Sequence, residues 1–591
     1  MRNPTQKQLQ QFNLVLRKKE LHLYRSLLLH LCKDYDSLSY FRSARLLIER
    51  SDWHSLIELA DSLVEQSYST ASEHFLANQF ASLVRKFPFS QAESGFDPEL
   101  AAIRKFGSAE HSCKRVNQRF RASRSVRRLR YSDELSRARA FVRYVLGDAP
   151  DLRSIYQGCG FSPGAAIGVH GDATNVSRKL LAERWTVTPG ALHYAYAAVI
   201  SHPQFREVLF PEHASFTSGS PSLDARAFIE RISLVSTNKI SFVPKTAKTH
   251  RSIAVEPLLN GYLQKGVDVY MRGRLARVGI DLSDQYRNQI FAREGSLASP
   301  RDLATIDLSS ASDSISIELC REILPPDWFD FLNSIRSPQY MLGSDSFRYE
   351  KFVSMGNGFC FPLESLIFAA LAHSVGAGRP GIDFLVYGDD IIVRTEVALP
   401  LIELMSYCGF KTNARKTFLK GPFRESCGAD WFGGEDVRPF TLDFRLDSVS
   451  SLFKFLNLSR RNERSARFFF DGPWLRVFNS VPEPFRFIRP FAGNADTGID
   501  SDGLLHLDSR LCTWSNKTLS WSWLELEASA VGDSHHQHHG AKGASALVYG
   551  MLSGVESAKP FTYRRRTITK VRRKSHCGAT STWLPPARLV T

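Results

Sequence analysis

Two adjacent carboxylates stand inside an apolar run. Ile382 to Thr395 reads IDFLVYGDDIIVRT, with Asp389 and Asp390 following Gly388 and apolar residues on both sides. This pattern predicts a β-hairpin with the acidic pair at its tip. Like charges between apolar strands repel and resist desolvation, so the pair is unfavourable unless something cationic sits beside it. Taken alone, the motif also fits an exposed Asp-Asp turn. A third carboxylate comes from Leu303 to Ser316 (LATIDLSSASDSIS). There Leu303 to Ile306 predicts a short apolar strand ended by Asp307, with small polar residues and Asp313 after it. If the two strands are neighbours, Asp307, Asp389 and Asp390 converge. Such a set suits two Mg²⁺ ions roughly 3.5–4 Å apart, one activating a hydroxyl nucleophile and one stabilising the leaving oxygen of a triphosphate. Hard oxygen donors select Mg²⁺, with Mn²⁺ as a substitute, over zinc.

Three further segments carry polar side chains near these acids in the sequence. Phe242 to Pro257 (FVPKTAKTHRSIAVEP) spaces Lys245, Lys248 and Arg251 by three. On an extended, Pro-bounded stretch they can converge on a triphosphate; a basic loop without a ligand is the plainer alternative. Ser354 to Leu371 (SMGNGFCFPLESLIFAAL) brackets Asn357 with two glycines ahead of an apolar helix. Glycine permits close backbone approach, and Asn357 offers a donor and an acceptor, though it equally suits a turn. Gly409 to Leu419 (GFKTNARKTFL) supplies Lys411, Arg415 and Lys416. A lysine near a leaving pyrophosphate can act as general acid, whereas most surface lysines do nothing of the kind.

These segments must be carried by a large scaffold. The chain has 591 residues, about four domain-sized units at roughly 150 residues each. A hydrophobic fraction of 43% excludes a mostly disordered chain. No apolar run approaches the roughly 18 residues of a membrane span, and Met1 to Lys19 is polar with no signal region, so a cytosolic location is expected. Nine cysteines without a CxxC pair argue against a zinc ribbon and a disulfide framework. The net charge of +16 favours a polyanionic partner.

The stretch to about Pro150 is expected to be helical, from the spacing of Leu14, Leu21, Leu28 and Leu31. Within it, Lys114 to Arg130 carries eight cations and no acid, either a solvated helix face or a phosphate-tracking surface. Gly158 to Gly171 lacks the lysine of a P-loop and reads as a turn cluster. Arg460, Arg461 and Arg464 lie near Phe468, Phe469 and Phe470 in an aromatic, basic stretch. His535, His536, His538 and His539 read as a surface loop, and Arg564 to Lys574 as a basic tail suited to nonspecific phosphate contacts.

Taken in order, the five segments resemble those of right-hand template-directed polymerases, and more narrowly the replicase β subunit of positive-strand RNA bacteriophages, the leviviruses. The residues that carry the likeness are VPKTAKTHRSIAVEP, IDLSSASDSIS, SMGNGFCFPLESLIF, VYGDDI, KTF and GPFRESCGADWF, between about Lys239 and Phe440. The resemblance implies an α+β fold of fingers, palm and thumb, with helices on one face of a small antiparallel palm sheet. It divides the chain into a helical region at 1–150, fingers at 151–291, palm at 292–444 and thumb with basic tail at 445–591. It implies an RNA-directed RNA polymerase replicating a single-stranded RNA phage genome in the cytoplasm of an infected bacterium. Asp307, Asp389 and Asp390 would then hold magnesium. Lys245, Lys248 and Arg251 would grip the triphosphate, and Asp313 and Asn357 would read the ribose. Lys416 would be the proton donor, and Arg424 to Phe432 would lie where palm meets thumb, guiding the primer strand. Family partners would be RNA template, nascent RNA, NTPs, host elongation factors Tu and Ts and a host ribosomal protein; no motif here marks the host-protein contacts.

Two rivals are weighed against this. Tyr387 to Asp390 also fits the Tyr-x-Asp-Asp pattern of reverse transcriptases. The residues from Leu308 to Asp313 are largely small or polar, however, leaving room for a 2′-hydroxyl that Asp313 and Asn357 together can bind, and a site built to bond a hydroxyl rejects the analogue lacking it. A non-catalytic RNA-binding protein accounts for the charge but leaves three acids in a phosphate-binding groove unexplained.

Overall fold

The computed structural model describes residues 4–125, 130–169, 176–202, 205, 209, 221–297, 301–469, 472–489, 494–500, 512–515, 517–518, 520–531 and 566–577. The histidine-rich loop at 535–539, Arg564 and Arg565 of the tail, Arg127 and Arg128 of the basic segment, Phe470 and Gly171 lie outside the described residues.

The chain opens with helices α1 (Gln6–Asp34), α2 (Ser39–Glu49), α3 (Trp53–Glu65) and α4 (Ala71–Arg85). Thr5, Asp52 and Thr70 start three of them, their side chains accepting from the N–H of Gln8, Ser55 and Glu73. The expected helicity is present, but α1 buries Leu9, Leu16, Tyr24, Leu27, Leu28 and Leu31, and Leu14 is 57% exposed. Leucines seven apart drift by about 20° per heptad on a straight helix, so the run turns from exposed Leu14 through half-buried Leu21 to buried Leu28. These helices share one core with a late helix, α11 (Val449–Leu458), through Phe41, Phe80, Phe87, Leu452, Phe455 and Phe469.

A second, larger core holds the middle of the chain. Helices α5 (Pro98–Ser125), α6 (Ser132–Leu146), α7 (Leu258–Arg277), α9 (Cys360–Ser374) and α10 (Thr395–Cys408) contribute Phe120, Val142, Leu263, Leu366 and Leu404. Lys114 to Ser125 of the expected basic segment lie on α5. Its Arg119 lies 4.6 Å above the Tyr407 ring and its Arg121 pairs with Glu318 at 3.0 Å, so part of that charge is engaged by the protein's own groups.

A hairpin of β1 (Thr237–Thr246) and β2 (Thr249–Val255) belongs to a four-stranded sheet ordered β2-β1-β4-β5, completed by β4 (Gln339–Leu342) and β5 (Asp345–Arg348). Its register shifts between Pro244 and Thr246, which leaves Lys245 as an extra residue in a bulge. A smaller sheet has the order β3-β7-β6, formed by β3 (Leu303–Ile306), β6 (Leu385–Tyr387) and β7 (Asp390–Arg394). All its pairings are antiparallel, with Ile391 opposite Ile306 and Asp390 opposite Tyr387.

Helices cover both faces of this sheet, not the single face expected. Leu303, Leu385 and Ile392 pack on Ala292 of α8 (Tyr286–Ser296), while Ala304, Ile306, Val386, Ile391 and Val393 enter the large core beneath α9 and α10. Every residue of β3 is buried, and such a strand has no side to offer water. Next to it run β8 (Phe423–Ser426) and β9 (Ala429–Phe432), paired antiparallel. Near the end of the chain, β10 (Ser520–Val531) and β11 (Arg566–Cys577) form an antiparallel ladder. Part of the expected basic tail is thus an edge strand, with Arg572 paired to Glu527 and Arg573 donating to Ser522 at 3.1 Å. Among the described residues no helix is long and apolar enough to cross a membrane.

Candidate active site

The small sheet brings the three acids to one end. Asp390 opens β7 and Asp307 follows the last residue of β3; since Ile306 faces Ile391, one further step along the antiparallel register sets Asp307 beside Asp390. Asp389 occupies the turn between β6 and β7. Gly388 makes that turn at φ +62°, its N–H bonding Ser365 Oγ at 2.9 Å. A methyl group there would meet Phe361 Cε2 at 2.5 Å, so glycine answers both a left-handed conformation and a close approach.

The acids load one another with charge. Burial raises the Asp390 pKa to about 7, and Asp389, Glu425 and Asp307 push the same way against a hydrogen bond from the Cys427 backbone. Burial likewise raises Asp307 to about 6; Lys416 and a 2.8 Å hydrogen bond from Asn413 Nδ2 oppose it, and Asp389 and Glu425 add to it. Glu364, on α9, is 5% exposed, and burial together with Asp389, Asp313 and Asp390 drives its pKa well up. Carboxylate oxygens under this mutual repulsion match a hard divalent cation in donor chemistry. As placed, however, no three His, Cys, Asp or Glu side chains among the described residues are gathered closely enough to hold an ion.

Lys416 stands beside these acids. Its Nζ donates to Glu425 Oε1 at 2.7 Å and stands 3.9 Å from Asp307 Oδ2. Burial works against its charge, but Glu425 and Asp307 outweigh it and hold the pKa above the ordinary lysine value. The three cations expected to act together are divided. Lys245 reaches solvent beside Lys86, whose Nζ donates to Lys245 O at 3.3 Å. Packing around its stem, then the charges of Lys105, Arg251, Lys86 and Lys416, push the Lys245 pKa down to about 8. Lys248 instead pairs with Asp61 at 2.6 Å and Glu58 at 2.7 Å on α3.

The two residues expected at the ribose are also separately engaged. Asp313 Oδ1 accepts from Lys351 Nζ at 2.8 Å. Asn357 is buried and spends its Oδ1 on the Phe359 N–H at 3.1 Å, so no hydrogen bond is seen between the pair. The loop is pinned behind Asn357: the Ala254 N–H donates to Met355 O at 2.7 Å, and Gln264 Oε1 accepts from Gly358 N–H at 3.0 Å. Arg424 is buried beneath the strands, its Nε donating to Leu303 O at 2.7 Å.

The model of the family described as RNA replicase, beta-chain matches residues 47–466. The chain belongs to that family. It is 39% identical to the RNA-directed RNA polymerase subunit beta of Escherichia virus Qbeta over 409 residues, 67% of this chain and 63% of that one. It is 40% identical to the RNA-directed RNA polymerase beta chain of Escherichia phage MS2 over 342 residues, 56% of this chain and 58% of that one. With the beta chain of Enterobacteria phage fr the identity is 43% over 318 residues, covering 52% and 53%. The chain thus spans less than two thirds of the length of these relatives. Among solved structures, the RNA-dependent RNA polymerase of a human picorbirnavirus aligns at a TM-score of 0.31 and 12% identity over 42% of this chain and 56% of that one, a likeness too slight to bear on the fold.

The acids and cations of this site all fall inside the stretch matched to the replicase β-chain family. Several of them are not apparent from the motifs. Glu364 had a visible signal, a lone acid in an otherwise apolar helix (SLIFAAL follows it). Glu425 and Asn413 had none, because nothing in their spacing marks them as neighbours of Asp307. Lys86 and Lys105 come from the N-terminal helices, far from any motif, and reach the site only through the fold.

Proposed function

We propose that this chain is an RNA-directed RNA polymerase that copies a single-stranded RNA phage genome. The observation that carries the reading is the meeting of Asp307 with the Asp389–Asp390 turn at one sheet end, in a replicase β-chain family member. The small sheet with Asp307, Asp389 and Asp390 would be the palm, within residues 292–444. The β1–β2 hairpin would belong to the fingers, and the region from 445 onward to the thumb.

Asp307, Asp389 and Asp390 would hold two magnesium ions, with Mn²⁺ as a substitute. The chemistry such ions supply is activation of the primer 3′-hydroxyl and stabilisation of the leaving oxygen. The chain's own residues do the rest. Lys245 and Arg251, with Lys86 and Lys105 beside them, hold the triphosphate so that its α-phosphorus lies in line with the attacking hydroxyl. Lys416 keeps its proton at neutral pH and gives it to the departing pyrophosphate. Asp313 and Asn357 face the ribose. Base pairing with the template chooses the nucleotide. By the same reading, host elongation factors Tu and Ts and a ribosomal protein join the chain in the cytoplasm of an infected bacterium; co-purification from infected cells tests that.

Incorporation of labelled NTPs on a primed RNA, by purified chain with and without host factors, tests the activity. Asp389→Asn should reduce incorporation by several orders of magnitude, because transition-state charge stabilisation is the main term, and leave RNA binding largely intact. A binding protein would show no activity to lose, and a preference for dNTPs over NTPs would favour the reverse-transcriptase reading.

A further inference from the structure

Lys351 has a completely buried side chain. Its Nζ donates to Asp313 Oδ1 at 2.8 Å, stands 3.5 Å from Glu110 Oε1 on α5, and lies 3.6 Å over the Phe106 ring. Its backbone is fixed as firmly as its tip. Lys351 forms a bridge with Ser316, the Phe352 N–H donates to Ile315 O at 2.7 Å, and Glu110 Oε2 accepts from the Glu350 N–H at 2.7 Å. The segment bearing the lysine is therefore tied to the loop bearing Asp313 at both ends of the side chain.

An internal ion pair of this kind is a poor source of stability, since the loss of hydration offsets most of the attraction and an apolar substitute of similar size serves as well. What it does supply is a fixed geometry. Asp313 has two oxygens. One is turned inward and occupied by Lys351; the side chain is 15% exposed, which leaves the carboxylate an outward edge. The Asp313 carboxylate lies close enough to Glu364 for its charge to raise the Glu364 pKa, as Asp389 and Asp390 also do.

We propose that Lys351 is a positioning residue for sugar selection: held between Asp313 and Glu110, it locks the Asp313 carboxylate so that its outer oxygen accepts a hydrogen bond from the 2′-hydroxyl of the incoming nucleotide. This rests on the reading of Asp313 as a ribose contact. A carboxylate free to rotate would still bind a ribonucleotide in some orientations, but it would lose the fixed acceptor that separates ribose from deoxyribose.

The test is single-nucleotide incorporation by the full chain on a primed RNA, comparing kcat/KM for an NTP with that for the matching dNTP. Lys351→Met should lower the NTP-to-dNTP ratio by about tenfold, through a loss on the NTP side with dNTP use little changed. A structural role alone would lower both values in proportion; that result, or an unchanged ratio, overturns the proposal. Should Lys351→Met melt below the assay temperature, Glu110→Gln carries the test. It keeps the shape but loosens the hold on Lys351, and should lower the ratio by about threefold; a folded Glu110→Gln with an unchanged ratio overturns the proposal. Asp313→Asn separates the two ideas. If it lowers the ratio while Lys351→Met does not, the role of Lys351 falls and the ribose reading stands. If Asp313→Asn itself leaves the ratio unchanged, the ribose reading falls and takes this inference with it.

Discussion

Lys248 donates to Asp61 at 2.6 Å, tying the β1–β2 hairpin to helix α3, while Lys245 three residues earlier stands among Lys86, Lys105 and Arg251. The two lysines should therefore fail differently. Lys248→Ala leaves Asp61 with Arg85 and should cost about 1–2 kcal/mol of stability, with the KM for NTPs little changed. Lys245→Ala removes one of several mutually repelling cations. It should leave the melting temperature unchanged or slightly higher and raise the KM for NTPs about tenfold. Thermal unfolding and steady-state incorporation separate the two. A matching rise in KM for both variants would restore the joint grip of Lys245, Lys248 and Arg251 expected from spacing.

The difference between those lysines was not readable in FVPKTAKTHRSIAVEP, because it is made by the bulge between Pro244 and Thr246. One extra residue in a strand re-aims its side chain, and nothing in the spacing announces it. The Asp389–Asp390 hairpin was readable because two apolar runs about a Gly-Asp turn admit few other structures. β3 and its end at Asp307 were equally plain. That helices lie on both faces of their sheet was present in the uninterrupted burial of Leu303 to Ile306, yet periodicity alone does not distinguish a strand buried on one side from one buried on both in four residues. Lys351 and Glu364 are different again. Glu364 is a lone charge in an apolar helix, whereas Lys351 directly follows Glu350 with Arg348 nearby; for each, the partner that gives it meaning comes from another part of the chain.

The carboxylates predict an unusual response to pH. Asp390 at about 7 and Asp307 at about 6 bind protons in the folded chain that an unfolded carboxylate, at about 3.9, would release. The folded state thus holds the extra protons between about pH 4 and 7, and the contribution of these two groups to stability falls as pH rises through that window. Magnesium bound there should relieve the repulsion. Its gain in melting temperature should be larger at pH 8 than at pH 5.5, where protons already neutralise the pair, and Asp390→Asn should remove most of the pH 8 gain. An equal gain at both pH values would count against a cation at these residues.

Gly388 sets the direction of Asp389. Alanine at this position would keep φ near +62° only with strain, and its Cβ would fall 2.5 Å from Phe361 Cε2. Gly388→Ala should cost about 1–3 kcal/mol and reduce incorporation by at least about tenfold. Adding Phe361→Leu removes the collision but not the strained backbone, so stability should recover in part. Full recovery of both stability and incorporation in the double variant would show that the backbone conformation is immaterial and the ring contact alone decides.

Arg424 supports the same acids from below. Besides Leu303 O, its guanidinium reaches Phe423 O at 2.7 Å and Gly421 O at 2.8 Å, and it is 2% exposed. Those carbonyls belong to the start of β3, to the loop leading into β8 and to the first residue of β8, so one side chain fastens the strand that ends in Asp307 to its neighbour. Lysine cannot replace it: a single ammonium on a flexible stem lacks the planar fork that meets carbonyls on two segments at once. Arg424→Met leaves several buried carbonyls unpaired and should cost about 3–5 kcal/mol, and Arg424→Lys somewhat less. Because the fault is transmitted to Asp307, incorporation measured well below the melting temperature should drop further than RNA affinity does. Loss of RNA affinity in step with incorporation would instead place Arg424 among the residues that meet the primer strand, as the family resemblance implies.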